Sequence, residues 1–388
     1  MKGIVLVGPS WPLRGGIART TTALADALAA RGSLAAFLTP TRQYPRWLYR
    51  GSDIDPGACP RIASAERAYA VLEPWTWPAL RRRIRTATPR AVVVPYWTYA
   101  WAPLLSRVVA WDAAPTVAVV HNPADHDASR LARWAARGVL RCCGGFLCHS
   151  RSVEEALAQA FPERPVAVHP LPPDVVERVE RAEARRRLGV PDGAVAFLCF
   201  GLIRPYKGVD VLLDAFASLP DRCPAVLLLA GEPWHGLAAQ ITARLGDPRL
   251  SGRVVAALRW LPEVEVGSWF SAADVAVLPY RSATGSAVAA QALGQELPIL
   301  ATRVGGLAEV VEEGVNGSLV PPGDAGAMTR AVELLCSDEL RAHLAAGART
   351  SARRWTWASY AEVLEGLVEA VAESSFSARP ARLVRRAK

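Results

Sequence analysis

Arg204 and Lys207 stand in the segment Phe200-Gly-Leu-Ile-Arg-Pro-Tyr-Lys-Gly208. An apolar run, Val195-Ala-Phe-Leu-Cys-Phe200, precedes it and reads as a buried strand. Val209-Asp-Val-Leu-Leu-Asp-Ala-Phe216 follows with helical apolar spacing. The chain has 45 lysines and arginines, and only three are lysines, at 2, 207 and 388. Lys207 is thus the one lysine away from the ends. An arginine and a lysine fixed at a strand-to-helix turn are placed to hold a diphosphate. The plainer alternative is a solvated loop with two surface cations.

Four other segments carry candidate chemistry. Arg14-Gly15-Gly16 precedes a predicted helix, where glycines let backbone approach a ligand and free amides attract phosphate. It matches neither Gly-x-Gly-x-x-Gly nor a Walker P-loop, and a plain tight turn explains it equally well. Thr284-Gly285-Ser286-Ala287-Val288 opens a second helix of this kind, and Gln291, further along it, could bridge ribose hydroxyls. His121-Asn122 ends the run Thr116–Val120; its imidazole could bond a sugar hydroxyl or share a developing charge, or simply be a satisfied loop histidine. Tyr96-Trp97-Thr-Tyr99-Ala-Trp101 could stack on sugar rings or lipid, or pack in the core.

These segments need a scaffold that brings strand ends together. Ile4–Val7, Ala35–Leu38, Ala91–Val94, Thr116–Val120 and Phe146–Cys148 read as strands with helical patterns between them. After Pro170-Leu-Pro-Pro173 the rhythm restarts, with strands at Val195–Phe200, Val226–Ala230, Arg253–Ala256, Val275–Leu278 and Pro298–Ala301. Continuous rather than alternating apolar strands imply parallel sheets covered on both faces. The expected architecture is two doubly wound α/β halves facing a cleft, with ligands beyond the C-terminal strand ends.

Composition sets outer limits. With 388 residues, 51% hydrophobic and 21% charged, the chain is of globular type and long enough for two or three domains. Its net charge of +9 is unevenly placed. Residues 379–388 carry Arg379, Arg382, Arg385, Arg386 and Lys388 with no acid, and Arg81-Arg-Arg-Ile-Arg85 is a second basic run. Both suit anionic partners, an anionic membrane surface among them, or are a frayed tail and a solvated helix face. The N-terminal apolar stretch is too short for a signal peptide, so a cytoplasmic protein is expected, peripheral at most at the inner face of the plasma membrane. Seven cysteines without a Cys-x-x-Cys pair speak against zinc and against a disulfide framework. The strand Phe146–Cys148 should bury Cys142, Cys143, Cys148 and His149.

Taken together, these motifs resemble glycosyltransferase family 4. The resemblance rests on Gly15-Gly16, Gly201-Leu-Ile-Arg204 with Lys207-Gly208, Ala272-Ala-Asp274 with Leu278-Pro-Tyr280, and Leu297-Pro-Ile-Leu-Ala-Thr-Arg-Val-Gly-Gly306. Glu309-Val-Val-Glu-Glu-Gly-Val-Asn-Gly317, Val320-Pro-Pro-Gly-Asp324 and Trp355-Thr-Trp357 complete it. It implies an α/β GT-B fold, with two Rossmann-like domains facing a central cleft and C-terminal helices crossing back to the first. Domain bounds of 1–172 and 173–354 follow, with a crossing helix over 355–376 and a basic, disordered tail over 377–388.

What the resemblance implies about activity is a retaining transfer of sugar from a nucleotide-sugar donor to a glycan or lipid-linked acceptor, as in cell-surface polysaccharide or glycolipid assembly. Arg204 and Lys207 would hold the diphosphate, His121 would lie beside the transferred sugar, and Gly15, Gly16, Gly285, Ser286 and Ala287 would share the leaving charge through backbone amides. Gln291 would meet ribose, and the base would lie against Ala257-Leu-Arg259-Trp260. Arg14, Trp97, Tyr99 and Asn122 are acceptor-side candidates. Neither a metal nor another cofactor is expected, nor nucleic acid as a partner. One departure stands out. Where the family usually has two glutamates this chain has Ala283 and Gln291. Ser282-Ala-Thr-Gly-Ser-Ala-Val288, Pro12-Leu-Arg-Gly-Gly16 and Gln43-Tyr-Pro45 resemble a subgroup of the family that shares this feature. The rival reading is a catalytically silent GT-B module that binds nucleotide sugar or glycan.

Overall fold

The computed structural model describes residues 3–42, 54–55, 65–111, 114–123, 130–174, 176–234 and 236–377. The basic segment 379–388, His126, Asp127 and Gln43-Tyr-Pro45 lie outside them. Seven strands form the first sheet: β1 (Ile4–Val7), β2 (Leu34–Pro40), β3 (Ala65–Tyr69), β4 (Ala91–Tyr96), β5 (Thr116–Val120), β6 (Gly145–Cys148) and β7 (Val166–Val168). Their order is β3-β2-β1-β4-β5-β6-β7. Six more form the second: β8 (Val195–Phe200), β9 (Ala225–Ala230), β10 (Val254–Ala257), β11 (Val275–Leu278), β12 (Ile299–Thr302) and β13 (Gly317–Val320). Their order is β10-β9-β8-β11-β12-β13. All paired strands in both sheets run parallel.

Successive strand residues feed opposite layers, as a pleat requires. In β1, Val5 and Val7 join a core with Leu80, Ile84, Leu105 and Leu140. Ile4 and Leu6 face the other way, onto Leu24 and Leu28 of the helix Gly16–Ala30 and onto Tyr360, Leu364 and Val368. The last three belong to Trp357–Ser377, so the final helix closes the first domain and not the second. Gly145 makes room for it, since a Cβ there would stand 2.6 Å from a Val371 methyl. In the second sheet, Val195, Phe197 and Cys199 face one layer and Ala196 and Leu198 the other.

Sequence reading placed the central strands and overlooked β3, β7 and β13. All three are edge strands. β3 reads Ala-Glu-Arg-Ala-Tyr, β7 has three residues and β13 four. Edge strands are kept short or charged because an apolar free edge invites aggregation, so they lack the continuous apolar signal. The segment after β5 buries Cys143, Cys148 and His149 as expected, but Cys142 is exposed on the end of the preceding helix.

Leu364 is fully buried between the last helix and the sheet. Leu364→Ala should cost about 2–5 kcal/mol of unfolding free energy, read from urea melts. An unchanged midpoint would mean that the last helix contributes nothing to the first domain.

Candidate active site

Parallel strands deliver their C-terminal ends, and the N-termini of the following helices, to one side of each sheet. Here the two such sides face each other. Between them lies a cavity of about 370 Å³. Trp11, Gly15, Gly16, Arg19 and Asp55 line it from the first domain. Gly201, Lys207, Glu232, Trp260, Glu263, Tyr280, Gly285, Ser286, Ala287 and Gln291 are among those lining it from the second.

Lys207 ends a one-turn 3₁₀ helix, Pro205–Lys207, and is buried. Gly208 follows with φ 66°, and a Cβ there would fall 2.0 Å from the carbonyl oxygen of Pro279, so only glycine fits. The lysine turns back beneath the end of β8. Its Nζ lies 5.2 Å from the Tyr280 ring centroid and 3.2 Å from where a Cβ on Gly201 would sit. No carboxylate among the described residues pairs with it. Burial lowers its pKa, opposed in part by Tyr206 and Cys199. A buried ammonium without a counter-charge is costly.

Two helix N-termini meet at the same cavity. The helix Gly16–Ala30 starts after Gly15 with no side-chain cap and no acid in its first turn. The helix Ala287–Gly294 is capped by Ser286 Oγ, which accepts from the Ala289 amide at 3.2 Å, and again has no first-turn acid. A Cβ on Gly16 would touch that of Ala287 at 3.6 Å, so the two helix ends abut across the domains. Exposed amides and aligned peptide dipoles make such ends attractive to anions. Gln291, on the second helix, is buried in the cavity wall.

Not every expected site residue reaches the cavity. Arg204 lies outside the lining, its guanidinium 4.6 Å over the Trp234 ring and its buried Nε without a partner among the described residues. Arg259 is exposed and bound to Glu265 at 2.6 Å, while its neighbour Trp260 lines the cavity. Arg14 covers the Trp260 ring at 5.1 Å, a contact across the domains. Trp97 packs on Trp101 at 4.5 Å beside the first core, and Tyr99 opens the short helix Tyr99–Trp101. Asn122 Oδ1 is buried without a partner among the described residues, as is Trp260 Nε1.

His121 also stands just outside the cavity, at the domain seam. Its carbonyl accepts from Thr284 Oγ1 at 3.1 Å, one residue before Gly285 of the lining. Its Nδ1 lies 3.1 Å from His149 Nε2. Sequence reading buried His149 and gave it no role, yet a signal was present. Val120, Cys148 and Val168 are register partners on β5, β6 and β7, and His121, His149 and His169 are the residues that follow them. Burial depresses all three imidazoles, His149 to about 4, and the His149 ring adds to the effect at His121.

Further seam residues were overlooked. Arg19 pairs with Asp174 and Glu263, each at 2.8 Å. Asp55, buried at the cavity, accepts from the Glu263 amide at 3.4 Å. Ser150 Oγ donates to the Thr284 carbonyl at 2.9 Å. Glu309 accepts from the amides of Arg151 and Ser152 at 2.7 and 3.2 Å, capping a first-domain helix from the second domain. No sequence pattern pairs such residues. Among the described residues, no group of three or more His, Cys, Asp or Glu could hold a metal.

Two facing parallel Rossmann-like domains with the ligand cavity between them define the GT-B class. Solved structures agree at the level of fold. The chain is similar to sucrose-phosphate synthase from Thermosynechococcus elongatus, with a TM-score of 0.72, 19% identity, and 97% and 100% of the two chains covered. It is similar too to Anabaena HepE solved with UDP, with a TM-score of 0.69, 18% identity and the same coverage. Residues 14–177 match the model of glycosyltransferase family 4, and residues 194–338 that of the group 1 glycosyl transferases. Both halves of the chain thus match glycosyltransferase family models, the first half that of family 4. Among curated relatives, a D-inositol 3-phosphate glycosyltransferase of a Nocardioides strain is 36% identical over 217 residues, 51% of this chain and 46% of that protein. The chain spans about half the length of the curated relatives it matches.

The histidine row makes stability depend on acid. Unfolded, each imidazole protonates near pH 6.5; folded, His149 stays neutral down to about pH 4. The unfolded chain binds more protons in that window, so stability is full above about pH 6.5 and falls as pH drops. His149 alone should account for about 3 kcal/mol of loss by pH 4. Urea melts at pH 7.5 and 5 should show a shallower dependence in His149→Phe; equal slopes would contradict the assignment.

Proposed function

We propose that the protein is a retaining glycosyltransferase that takes sugar from a nucleotide-sugar donor and passes it to a glycan or lipid-linked acceptor. The observation that carries this is Lys207, a buried ammonium with no carboxylate partner among the described residues, at a cavity where two helix N-termini without first-turn acids meet. A diphosphate supplies the missing charge. In this reading Lys207 and the amides around Gly16 and Ala287 stabilise the leaving diphosphate, and Arg204 swings in from Trp234. The acceptor hydroxyl attacks from the face the nucleotide leaves, and a phosphate oxygen takes its proton. Fixed cations and amides do this without a metal. The Trp260 indole N–H, buried and without a partner among the described residues, offers a donor to a base carbonyl. The UDP-glucose held by a structural neighbour and the inositol phosphate in the relatives' names support a nucleotide sugar and a polar acceptor.

Ala283 favours the rival, a silent binding module, since no side chain there can reach the donor sugar. Slow hydrolysis of a nucleotide sugar by purified protein separates the two, because a silent module lacks it.

Lys207→Met should weaken nucleoside diphosphate binding by about 1.5–3 kcal/mol in calorimetry. The unliganded variant should melt no lower than wild type, because a costly buried charge has gone. Wild-type affinity in the variant would overturn the donor-site reading.

The proposal extends to an anionic membrane surface at the inner face of the plasma membrane. Trp75 and Trp134 are each 74% exposed, and Arg81, Arg82 and Arg85 stand exposed on the helix Trp77–Ala87. No helix among the described residues is long and apolar enough to cross a membrane. Each cation near an anionic leaflet contributes about 1 kcal/mol. Co-sedimentation should favour anionic over neutral vesicles and weaken with salt; equal recovery would remove the membrane from the proposal.

A further inference from the structure

The row His121, His149, His169 contains a direction. His149 Nδ1 lies 3.3 Å from the backbone carbonyl oxygen of His169. A carbonyl only accepts, so Nδ1 carries the proton. Neutral His149 then has a lone pair at Nε2, and that atom faces His121 Nδ1 at 3.1 Å. His121 must therefore donate from Nδ1, and its Nε2 is left with the lone pair. No hydrogen-bond partner among the described residues takes that nitrogen.

We infer that His149 is a positioning residue that fixes His121 as an Nδ1–H tautomer, an acceptor and not a donor at the domain seam. The arrangement is held from several sides. His169 Nδ1 donates to the Pro170 carbonyl at 2.7 Å, and its Nε2 meets Ser359 Oγ at 2.9 Å. Tyr360 stacks on His149 at 5.9 Å and sets its edge on His169 at 5.2 Å. On the other side, Gly285 lies close against the Cβ of His149, 3.6 Å from where its own Cβ would be. Burial keeps His149 neutral, so the direction does not reverse near neutrality.

The chemical consequence separates the two roles open to a strand-end imidazole. A lone pair at Nε2 takes the hydrogen of a sugar hydroxyl; it cannot donate to an oxyanion. His121 thus selects a hydroxyl on the transferred sugar and leaves the charge to Lys207 and the helix ends. The ligand, though not the tautomer, rests on the proposed function.

The test is ¹⁵N-histidine NMR of the full chain at pH 7.5, with the His121 signals assigned by their loss in His121→Gln. Wild type should show a protonated Nδ1 and an unprotonated Nε2 at His121. In His149→Phe, which keeps a ring beside Tyr360 but removes the acceptor, the proton should move to Nε2. His149→Gln, whose amide oxygen accepts, should restore the wild-type pattern. With a nucleotide sugar, His149→Phe should lower turnover at least tenfold while donor affinity stays within twofold. A proton on Nε2 in wild type, or the same tautomer in His149→Phe, overturns the inference, and a misfolded variant leaves the wild-type spectrum to decide. Absence of nucleotide-sugar binding with the expected tautomer would sink the proposed function alone.

Discussion

Both sheets are parallel, and the rest of the structure depends on that constraint. A parallel strand must be followed by a crossover, and among the described residues the crossovers are helices whose N-termini sit where the strands end. Turning two such sheets toward each other sets positive helix ends against one cavity from both sides. Gly16 and Ala287 abut there, since a Cβ on Gly16 would reach that of Ala287 at ordinary contact distance. Lys207 adds a full charge to the partial charges of the dipoles, and no described side chain neutralises it.

Such a site is unfavourable for the protein by itself, and the seam around it is built from compensated pairs. Arg19 is held between two carboxylates, and Glu309 occupies the N-terminus of the helix Arg151–Ala160. Where an acid was available it was used to tie the domains together. Lys207 pairs with no described carboxylate, and in the proposed reading it is there that an outside anion binds. The same contrast explains why Arg259, paired with Glu265, and Arg204, resting on Trp234, differ from Lys207 although all three are cations beside the cleft.

The departure at Ala283 and Gln291 becomes intelligible in space. Gln291 is buried in the cavity wall, where a carboxylate would need a partner to offset its desolvation. A carboxamide keeps hydrogen-bonding capacity without that cost. Ala283 leaves its carbonyl against Gly305, where a Cβ would fall only 1.8 Å away, so the backbone here is packed tightly even though the side chain is small.

The sequence by itself determined the central strands, the two doubly wound halves and the glycine-rich turns. Burial of a parallel strand on both faces demands a continuous apolar run, and Val195–Phe200 or Ala91–Val94 can be little else. It also singled out Lys207 as a candidate, through its isolation among arginines and its place before Gly208. Of the four edge strands, β10 was legible and β3, β7 and β13 escaped, because these three are short or charged where their free edge meets water. Only the tertiary structure decided which cations stay unpaired, since Arg259 and Lys207 look alike until Glu265 is found beside one of them. It alone brought Asp55 and Arg19 to Glu263, contacts between residues far apart in the chain that no local periodicity encodes. The histidine row lies between the two cases. Each histidine follows a readable strand, but only the register of β5, β6 and β7 makes neighbours of His121 and His149, because hydrogen bonding between parallel strands fixes which residues stand side by side.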